Sequence, residues 1–547
     1  MKLVIVGGVA GGASAAARAR RLSEDAHIIL VERGRDVSFA NCGLPYHVGG
    51  VIPQRDKLLV TSPERLRERF RLDVRTCSEV EAIDRGSKTV RIRDLNTGRV
   101  YEESYDRLIL APGAAPTRPQ IPGADLPNVF TLRTLADSDR IKAVVDEGIG
   151  RAVIVGAGFI GLELAENLVR RGVRTTILDR NQQVLSPFDP EMTTPLYAAL
   201  RERGVEVLLG QTAMAITAGP AGMSVRLTSG DTRAAELVVF GVGVRPENKL
   251  AVQAGLDVGA GGGVRVDEFL QTADPDIFAV GDVAETAAYG IGERTQVPLA
   301  GPANRQGRIA ADNALGRRSR YRGTQGTAII GFFRHTAAIT GQSEKVLKRH
   351  GRPYRKVYVH PTHHAGYYPG AEGMSLKVLF DPDSGKLLGA QGVGGAGVDK
   401  RIDVLAVAVQ AGMTVFDLEE MELCYAPQFG SAKDPVNMAG FVAGGLLRGD
   451  HPQIDWDTVV AASQKPLLLD VRTPAEYSSG HIDGAVNIPV DELRGRLVEL
   501  PKGSPIVAYC QVGQRGYLAT RVLMQAGYDV TNLGGGYRTY LLHHPNG

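Results

Sequence analysis

Residues 2–12 read KLVIVGGVAGG, a short apolar strand that runs directly into a glycine-rich turn. A helix is predicted from about Ala13 to Leu22, and a second apolar strand, residues 26–31, ends at Glu32. In this arrangement the backbone N–H groups of the turn and the helix N-terminus face a pyrophosphate, and the acid accepts a hydrogen bond from a ribose hydroxyl. The pattern therefore predicts a dinucleotide-binding unit. Val9 replaces the middle glycine of G-x-G-x-x-G, so an ordinary strand–helix turn is the alternative.

The same order of elements recurs from residue 151. The strand 151–155 leads into GAGFIG at residues 156–161, which matches the glycine pattern in full, and a helix is predicted from Leu162 to Arg171. The next strand ends at Asp179, where an acid suits the free 2′-hydroxyl of NAD and repels the 2′-phosphate of NADP. NADH is therefore favoured over NADPH, although the adjacent Arg180 leaves NADPH open. The repetition also strengthens the interpretation of the first turn.

Two further segments complete the first dinucleotide-binding unit. Residues 108–113 read as a buried strand that ends at an Ala-Pro-Gly turn, and residues 272–282 end in Gly281-Asp282. Asp282 is placed to bind a ribityl hydroxyl of a flavin, and the alternative is an N-cap for the helix beyond it. Because two dinucleotide turns flank these segments, we predict FAD in the first unit and NADH in the second.

The composition limits the remaining possibilities. A chain of 547 residues is too long for one domain and suggests three or four. The formal net charge of +3 gives no case for nucleic acid, and no apolar stretch has the length of a membrane span. The N-terminus lacks the features of a signal peptide, and the four cysteines match neither a disulfide framework nor a zinc site. We therefore expect a cytoplasmic protein that uses no metal and binds neither membrane nor nucleic acid.

Residues 38–46 read SFANCGLPY and place Cys42 just after the first unit. None of the next five residues is a cysteine, so a redox-active Cys42 needs a partner from outside this loop: a small thiol, an oxygen atom or a sulfane sulfur. The sequence predicts that Cys42 lies at a helix N-terminus, which lowers a thiol pKa. The alternative is a buried structural cysteine.

On this motif, residues 1 to about 445 resemble the two-dinucleotide-domain flavoprotein disulfide reductases. Among them they resemble the coenzyme A disulfide reductases and their NADH oxidase relatives. The resemblance implies one redox-active cysteine against the flavin, hydride transfer from NADH to FAD and on to a mixed disulfide at Cys42, and a third domain that forms a homodimer. Val9 is usual in this branch. Oxygen- or peroxide-reducing relatives carry the same lone cysteine; the peroxidases have a histidine in the first helix, and residues 10–17 have none.

The predicted third domain contains two segments of interest, HHAGYYPG at residues 363–370 and CYAPQFGSAKDP at residues 424–435. The resemblance implies that Tyr367 and Tyr425 reach the active site of the other subunit, where their hydroxyls bind or protonate a leaving thiolate. Tyr368 is the alternative to Tyr367, and simple packing is the alternative for all three.

Coenzyme A carries phosphates, so its site needs cations. Arg18 and Arg21 lie three residues apart on one face of the first predicted helix, where a solvated surface is the alternative. The resemblance implies that substrate contacts come from Ser14, Arg18, Arg21, Ser38, Asn41, Arg305 and Lys433.

The C-terminal part contains KPLLLDVRTPAEY (465–477), GHIDGAVNIP (480–489) and a strand that ends in CQVGQR (510–515). This part resembles a single rhodanese domain. A short turn between a strand and a helix aims backbone N–H groups at the Cys510 sulfur and stabilises a thiolate or persulfide, and Arg515 closes the loop with a positive charge. The loop is one residue shorter than in the related phosphatases, which favours sulfane sulfur over phosphate.

The predicted fold is α/β, with two Rossmann-like domains for FAD and NAD, an α+β dimerisation domain and an α/β rhodanese domain. The predicted boundaries are 1–115 and 245–322 (FAD), 116–244 (NAD), 323–447 (dimerisation) and 455–547 (rhodanese). The residues predicted to bind the two cofactors are Gly7, Val9, Ala10, Gly11, Gly12, Glu32, Arg33, Ala111, Pro112, Gly113, Gly156, Gly158, Phe159, Ile160, Gly161, Glu163, Asp179, Gly281 and Asp282. The predicted catalytic residues are Cys42, Cys510, Tyr367, Tyr425 and Arg515.

The sequence leads to one main hypothesis of function. An FAD- and NADH-dependent enzyme reduces a persulfide, a polysulfide or a disulfide of coenzyme A at Cys42, and Cys510 delivers sulfane sulfur. Three alternatives stay open: coenzyme A disulfide reduction beside an independent sulfurtransferase, a water- or peroxide-forming NADH oxidase, and a C-terminal domain that only docks or senses.

Overall fold

The computed structural model describes residues 1–220, 222–290 and 292–544, so the last three residues of the predicted rhodanese domain, 545–547, lie outside the described residues. The chain divides into two units by its internal contacts. The first unit comprises residues 1–182 and 203–326, and the second comprises residues 183–202 and the chain from Thr327 onward.

The strands of the first unit are β1 (Lys2–Val6), β2 (His27–Val31), β3 (Asp73–Arg75), β4 (Ser78–Asp84), β5 (Thr89–Asp94), β6 (Val100–Ser104), β7 (Arg107–Leu110), β8 (Ala114–Pro116), β9 (Val129–Thr131), β10 (Arg151–Val155), β11 (Arg174–Asp179), β12 (Glu206–Leu209), β13 (Ala213–Gly219), β14 (Gly222–Leu227), β15 (Thr232–Ala235), β16 (Leu237–Phe240), β17 (Val244–Pro246), β18 (Val264–Arg265), β19 (Ile277–Ala279), β20 (Ala284–Ala287) and β21 (Arg294–Thr295). The helices in this part of the sequence are α1 (Ala10–Leu22), α2 (Leu44–Val48), α3 (Pro63–Phe70), α4 (Leu135–Asp146), α5 (Phe159–Arg170), α6 (Pro190–Glu202), α7 (Lys249–Gln253) and α8 (Ala300–Ala314). Of these, α6 belongs to the second unit.

Two parallel sheets organise the first unit. One has the strand order β19-β7-β1-β2-β3 and the other β12-β11-β10-β16-β9, and every pairing in both is parallel. Strands β1 and β10 lie at the centre and are nearly completely buried, as expected for parallel sheets. Each is followed by a glycine turn and a helix, so both turns lie at the carboxyl edge of a sheet, where open α/β sheets bind ligands. The two predicted Rossmann-like units are confirmed.

Helices α1 and α5 begin at Ala10 and Phe159, earlier than the predicted starts at Ala13 and Leu162. The glycine that opens each turn reverses the chain alone, with φ of +98° at Gly7 and +115° at Gly156, so the next residues already enter the helix.

The remaining strands are β22 (Ala328–Phe332), β23 (His335–Gly341), β24 (Arg355–Val359), β25 (Met374–Phe380), β26 (Leu387–Gly394), β27 (Gln453–Ile454), β28 (Leu467–Asp470), β29 (Val486–Asn487), β30 (Ile506–Tyr509) and β31 (Val530–Leu533). The remaining helices are α9 (Glu344–Arg349), α10 (Val398–Ala411), α11 (Val415–Glu420), α12 (Pro435–Arg448), α13 (Trp456–Ala461), α14 (Pro474–Ser478), α15 (Gln514–Gln525) and α16 (Gly536–His543).

The second unit contains two sheets of different kinds. The antiparallel sheet β22-β23-β26-β25-β24 packs against α10 and α12 around a hydrophobic core, which matches the predicted α+β domain. The parallel sheet β27-β31-β30-β28-β29 has its own core, and Cys510 directly follows β30, as the predicted rhodanese domain requires. Helix α6 packs against β23, β26 and α16, so residues 183–202 group with this unit although they lie within the predicted NAD-binding domain.

Within the described residues no helix combines the length and apolar character needed to cross a membrane.

Candidate functional site

The first glycine turn leaves no room for side chains on its two structural glycines. A Cβ at Gly7 would lie 2.1 Å from the Ala111 carbonyl oxygen, and a Cβ at Gly12 would lie 1.8 Å from the Gly7 carbonyl oxygen. The second turn repeats this packing, since a Cβ at Gly161 would lie 1.9 Å from the Gly156 carbonyl oxygen. Close contact between strand, turn and helix is the geometry that brings backbone N–H groups to a pyrophosphate.

The acids that follow β2 and end β11 lie against these turns. Glu32 accepts hydrogen bonds from the N–H groups of Gly8 (2.7 Å) and Gly34 (2.6 Å). Asp179 accepts from the N–H groups of Ala157 (2.7 Å) and Asn181 (2.8 Å).

Each carboxylate is therefore fixed beside a glycine turn, where dinucleotide-binding units carry the acid that accepts from a ribose hydroxyl. A Cβ at Gly158 would meet nothing within 4 Å, so open space lies in front of the second turn. The residues present fit FAD at the first turn and a nicotinamide dinucleotide at the second.

The other predicted cofactor residues surround these turns. The Val9 carbonyl accepts from Ala13 N–H (2.9 Å), and Gly11 faces Val280, whose methyl would lie 3.1 Å from a Cβ at Gly11. Ala10 begins α1, and Phe159 and Ile160 begin α5. Arg33 is exposed and pairs with Glu247 at 2.9 Å, and Ala111 N–H donates to the Val6 carbonyl before Pro112.

Asp282 has a cationic partner that the sequence did not reveal. The Arg133 guanidinium lies 3.0 Å from the Asp282 carboxylate, and a Cβ at Gly113 would lie 3.0 Å from the same guanidinium. Gly281, at φ +76°, donates its N–H to the Gln306 side chain at 2.7 Å. Asp282 follows β19 and so lies at the carboxyl edge of the first parallel sheet.

Cys42 is exposed and lies on a 3-10 turn, residues 41–43, that precedes α2. Two neighbours place this turn: the Asn41 amide donates to the Arg133 carbonyl (3.3 Å), and Ser38 N–H donates to the Gly8 carbonyl (2.8 Å). The second bond ties the cysteine segment directly to the first glycine turn.

The prediction that a helix N-terminus lowers the Cys42 pKa is wrong. Helix α2 has five residues and begins two positions later, at Leu44, so its dipole is small. Although the residue is exposed, the surrounding protein partly desolvates its sulfur. This desolvation and the nearby Glu163 carboxylate raise the Cys42 pKa, with a smaller contribution from Asp282, and Arg133 opposes them.

Glu163, predicted from its place on α5, lies in this same environment. Its carboxylate accepts a hydrogen bond from the Tyr46 hydroxyl at 3.1 Å. Burial, together with the charge of Glu166, raises the pKa of Glu163 to about 7. Tyr46, the last residue of the SFANCGLPY motif, was not singled out from the sequence.

Helices α1 and α8 pack together and bring several predicted substrate residues to one surface. The Ser14 hydroxyl donates to the Asn304 side chain (2.8 Å), and Arg18 donates to Asp312 (2.7 Å). Arg21 and Arg305 are exposed on the same two helices. Asp312 thus neutralises the charge of Arg18. Among the described residues, no ion pair is found for Arg21 or Arg305.

The structure brings the two predicted tyrosines of the second unit together. Their hydroxyls, Tyr367 and Tyr425, are 3.0 Å apart, and the side chains are 76% and 51% exposed. The hydrogen bond between them raises the pKa of Tyr367. Tyr368 instead packs edge-on against the buried His364.

Arg401 joins the two loops that carry these tyrosines. Its guanidinium donates to the His363 carbonyl (2.7 Å) in one loop and to Asp434 (2.8 Å) in the other, and all but 1% of the side chain is buried. Lys433, beside Asp434, is exposed.

In the Cys510 loop, residues 510–515, helix α15 already begins at Gln514, so the turn is shorter than predicted. Cys510 is buried at the end of β30, and Gly513, at φ +100°, donates its N–H to the sulfur at 3.2 Å. Arg515 lies close enough to Cys510 for the two side chains to interact. It also pairs with Glu476 through two hydrogen bonds of 2.7 and 2.8 Å, which raise the Arg515 pKa.

Two residues of this site were missed. Glu476 holds Arg515, and the buried Arg472 donates to Gln511 of the loop at 3.0 Å and to Asp470 at 2.7 Å. Both residues lie in the stretch 465–477. An acid and a base that follow a buried strand are the sequence feature that could have pointed to them.

Comparison with known proteins gives consistent matches along the chain. The model of the pyridine nucleotide-disulphide oxidoreductases matches residues 1–307, the model of their dimerisation domain matches residues 327–435, and that of the rhodanese-like domain matches residues 456–543. The chain is 36% identical over 444 residues to coenzyme A disulfide reductase of Staphylococcus aureus (strain bovine RF122 / ET3-1), which covers 81% of this chain and 99% of that protein.

Two solved structures match nearly the whole chain. The structure of reduced Bacillus anthracis CoADR-RHD is 46% identical, with a TM-score of 0.96, and the match covers 100% of this chain and 98% of that one. A NAD-dependent persulfide reductase from A. fulgidus is 37% identical, with a TM-score of 0.92, over 98% of this chain and 100% of that one.

Proposed function

Because the chain belongs to the pyridine nucleotide-disulphide oxidoreductase family, we propose that it is an FAD-dependent enzyme that uses NADH to reduce a persulfide of coenzyme A at Cys42. Cys510 supplies the sulfane sulfur. The observation that carries the proposal is that one chain holds both thiols: all four cysteines lie in described residues and are free, Cys42 is exposed, and Cys510 lies in an N–H-donating loop.

Reduction of one persulfide at Cys42 needs two electrons, which one hydride from NADH supplies. The thiolate attacks the coenzyme A-bound sulfur of the persulfide, a Cys42–S–S–coenzyme A disulfide forms, and HS⁻ leaves. FAD, when bound, supplies the two electrons from NADH that cleave this disulfide to two thiolates. NADH, the persulfide and one proton thus give NAD⁺, coenzyme A and hydrogen sulfide.

We assign the proton donor to the tyrosine pair. A thiolate that leaves a disulfide is stabilised by a hydroxyl that donates to it. The Tyr367 and Tyr425 hydroxyls form one hydrogen bond with each other, in which one hydroxyl donates and the other accepts. The accepting hydroxyl keeps its own proton free to donate to the substrate. In a homodimer formed through the dimerisation domain, this pair serves the Cys42 site of the partner subunit.

Coenzyme A contacts are assigned to residues whose exposure and charge suit phosphates and amides. Arg21, Arg305 and Lys433 are exposed cations, and Ser14, Arg18, Ser38 and Asn41 supply polar groups already oriented by neighbours. For the nicotinamide cofactor, the fixed Asp179 carboxylate favours NADH. Asp179→Ser should therefore shift the ratio of kcat/KM values toward NADPH by about tenfold, because one hydrogen bond to a charged group is lost.

The test is NADH oxidation with stoichiometric sulfide release from coenzyme A persulfide. Cys42→Ser should abolish it. Cys510→Ser should retain it but lose sulfide release from thiosulfate plus coenzyme A. Undiminished activity of Cys42→Ser contradicts the proposal, and equal NADH oxidation with oxygen alone identifies an oxidase instead.

Coenzyme A disulfide reduction is the second candidate, and the name of the staphylococcal relative favours it. That relative is matched over 99% of its own length by 444 residues of this chain, so it has no counterpart of the rhodanese-like domain. The additional domain therefore favours persulfide, and the ratio of kcat/KM values for the persulfide and the disulfide decides between them.

A further inference from the structure

The Cys510 loop is supported from behind by the glycine segment, residues 534–538, that begins α16. Tyr537 N–H donates to the Cys510 carbonyl (2.7 Å) and Arg538 N–H to the Gln511 carbonyl (2.9 Å). A Cβ at Gly536 would lie 2.3 Å from the Cys510 carbonyl oxygen, so the two backbones touch. Any displacement of the glycine segment therefore moves the backbone of Cys510.

The other side of the glycine segment rests on the antiparallel sheet of the same unit. A Cβ at Gly535 would lie 2.8 Å from the Tyr358 side chain and 3.0 Å from the His360 ring. The His360 ring bonds Thr539 on α16 through Nε2 (2.8 Å) and Ser375 on β25 through Nδ1 (2.8 Å). Burial and the nearby Arg538 lower the pKa of His360 to about 3, so the ring is neutral at physiological pH.

A neutral ring held by a hydroxyl on each side is fully hydrogen-bonded and rigid. It connects Ser375 in the sheet to Thr539, one turn into the helix whose first residues bond the Cys510 loop. Other contacts hold the rhodanese-like domain to this sheet: Lys356 lies 3.6 Å from Asp455, and Gln453 donates to the Lys356 carbonyl. Attachment therefore does not depend on His360.

We propose that His360 is a positioning residue for sulfur transfer at Cys510, acting through Thr539 and the glycine segment. The inference rests on the proposed sulfurtransferase role of Cys510. In that reaction the Cys510 thiolate attacks the outer sulfur of thiosulfate, sulfite leaves, and a Cys510 persulfide anion remains. Cyanide then takes the sulfur as thiocyanate and restores the thiolate. The N–H groups of the loop stabilise the persulfide only while the backbone behind them is fixed.

The experiment uses the full-length holoenzyme and measures thiocyanate formation from thiosulfate and cyanide. His360→Leu should lower kcat about tenfold, the effect of one hydrogen bond lost from a reacting geometry, with little change in the KM for thiosulfate. Thr539→Val should do the same, and His360→Gln should recover part of the loss because its amide can bond both hydroxyls. NADH-dependent reduction of coenzyme A disulfide at Cys42 should be unchanged in all three.

The matched control is Thr194→Val. The Thr194 hydroxyl donates to the Leu542 carbonyl at 2.7 Å, so this variant removes a bond to the far end of α16. It should leave kcat for thiocyanate formation unchanged. The proposal is overturned by an unchanged kcat in both His360→Leu and Thr539→Val, or by an equal loss in Thr194→Val, which would indicate general loosening of the helix. A wild-type protein that forms no thiocyanate refutes the sulfurtransferase role itself.

Discussion

Desolvation of the sulfur and the charges around it determine how readily the Cys42 thiol ionises. Glu163 and Asp282 disfavour the thiolate and Arg133 favours it, so the sulfur lies between groups of opposite effect. Asp282 is already paired with Arg133. Glu163 is hydrogen-bonded to a neutral tyrosine, so its charge is the less compensated of the two.

We expect Glu163→Gln to lower the Cys42 pKa, because the change removes a negative charge and keeps an oxygen that accepts from Tyr46. The measurement is the rate of iodoacetamide alkylation at Cys42 against pH, followed by mass spectrometry of the Cys42 peptide. In the wild-type protein the profile should also respond near pH 7, where Glu163 ionises, and this response should vanish in the variant.

Arg133→Gln is the matched control of opposite sign. Loss of the cation should raise the Cys42 pKa and slow alkylation at neutral pH. A shift in the same direction for both variants would show that changes of packing, rather than charge, govern this thiol.

At the scale of elements, the two glycine turns contain glycines of different kinds. A Cβ at Gly161 would lie 1.9 Å from a backbone oxygen, whereas a Cβ at Gly158 would meet nothing within 4 Å. Gly158 also has an ordinary φ of −79°. Packing within the protein therefore requires a glycine at position 161. At position 158 we expect that the bound dinucleotide, rather than the protein, requires it.

Gly161→Ala should lower the free energy of unfolding by about 1–3 kcal/mol, the usual cost of overpacking. Gly158→Ala should leave thermal unfolding unchanged but raise the KM for NADH, because the methyl group occupies space that the pyrophosphate needs. Calorimetry and NADH kinetics on both variants check this. Equal destabilisation by the two changes would contradict the assignment.

The sequence predicted these elements because their rules are local. Apolar runs and glycine spacing located β1, β10 and both turns, and the strand-to-loop pattern located Cys510. The helix starts were missed because the turn needs only one glycine at positive φ. The raised Cys42 pKa was missed because its causes, desolvation by the packed fold and the charges of Glu163 and Arg133, come from residues distant in sequence that no local pattern brings together.

At the scale of the whole molecule, one buried charge joins residues 183–202 to the rest of the second unit. The fully buried Lys377 ammonium bonds Asp189 (2.8 Å), Glu191 (2.6 Å) and Glu344 (2.7 Å). Three carboxylates this close resemble a metal site, but the lysine occupies their centre. Two of its three partners come from residues 183–202, so sequence order alone could not indicate the arrangement.

This cluster predicts a specific pH dependence of stability. Burial disfavours the charged form of Glu344 and Glu191, yet the adjacent lysines hold both pKa values below the ordinary range, with Lys377 acting on both. Acids with a lowered folded pKa stabilise the protein above their unfolded pKa of about 4.3 and lose that effect as the pH falls further. Urea unfolding of the second unit should therefore show decreasing stability below about pH 5.

Lys377→Met should reverse this slope. Without the ammonium, the buried Glu191 loses the cation that holds its pKa below the ordinary range, so its pKa rises and protonation relieves the buried charge. The variant should be less stable than the wild type at pH 7 by about 3–5 kcal/mol and should gain stability as the pH falls toward 5. Parallel slopes in the two proteins would exclude Lys377 as the determinant.

The buried Lys377 ammonium also predicts the stability of a fragment that begins at Thr327. This fragment lacks Asp189 and Glu191, so Lys377 keeps Glu344 alone of its three carboxylates, and α16 loses the hydrogen bond from Thr194. Removing one side of a buried ion pair costs about 3–5 kcal/mol, so we expect the fragment to unfold at a much lower urea concentration than the same region in the full chain. Lys377→Met should stabilise the fragment although it destabilises the full chain, because in the fragment it removes a buried charge that has lost two of its three carboxylate partners. Circular dichroism of both fragments in urea measures the difference, and a fragment with Lys377 that is as stable as its methionine variant would contradict the account.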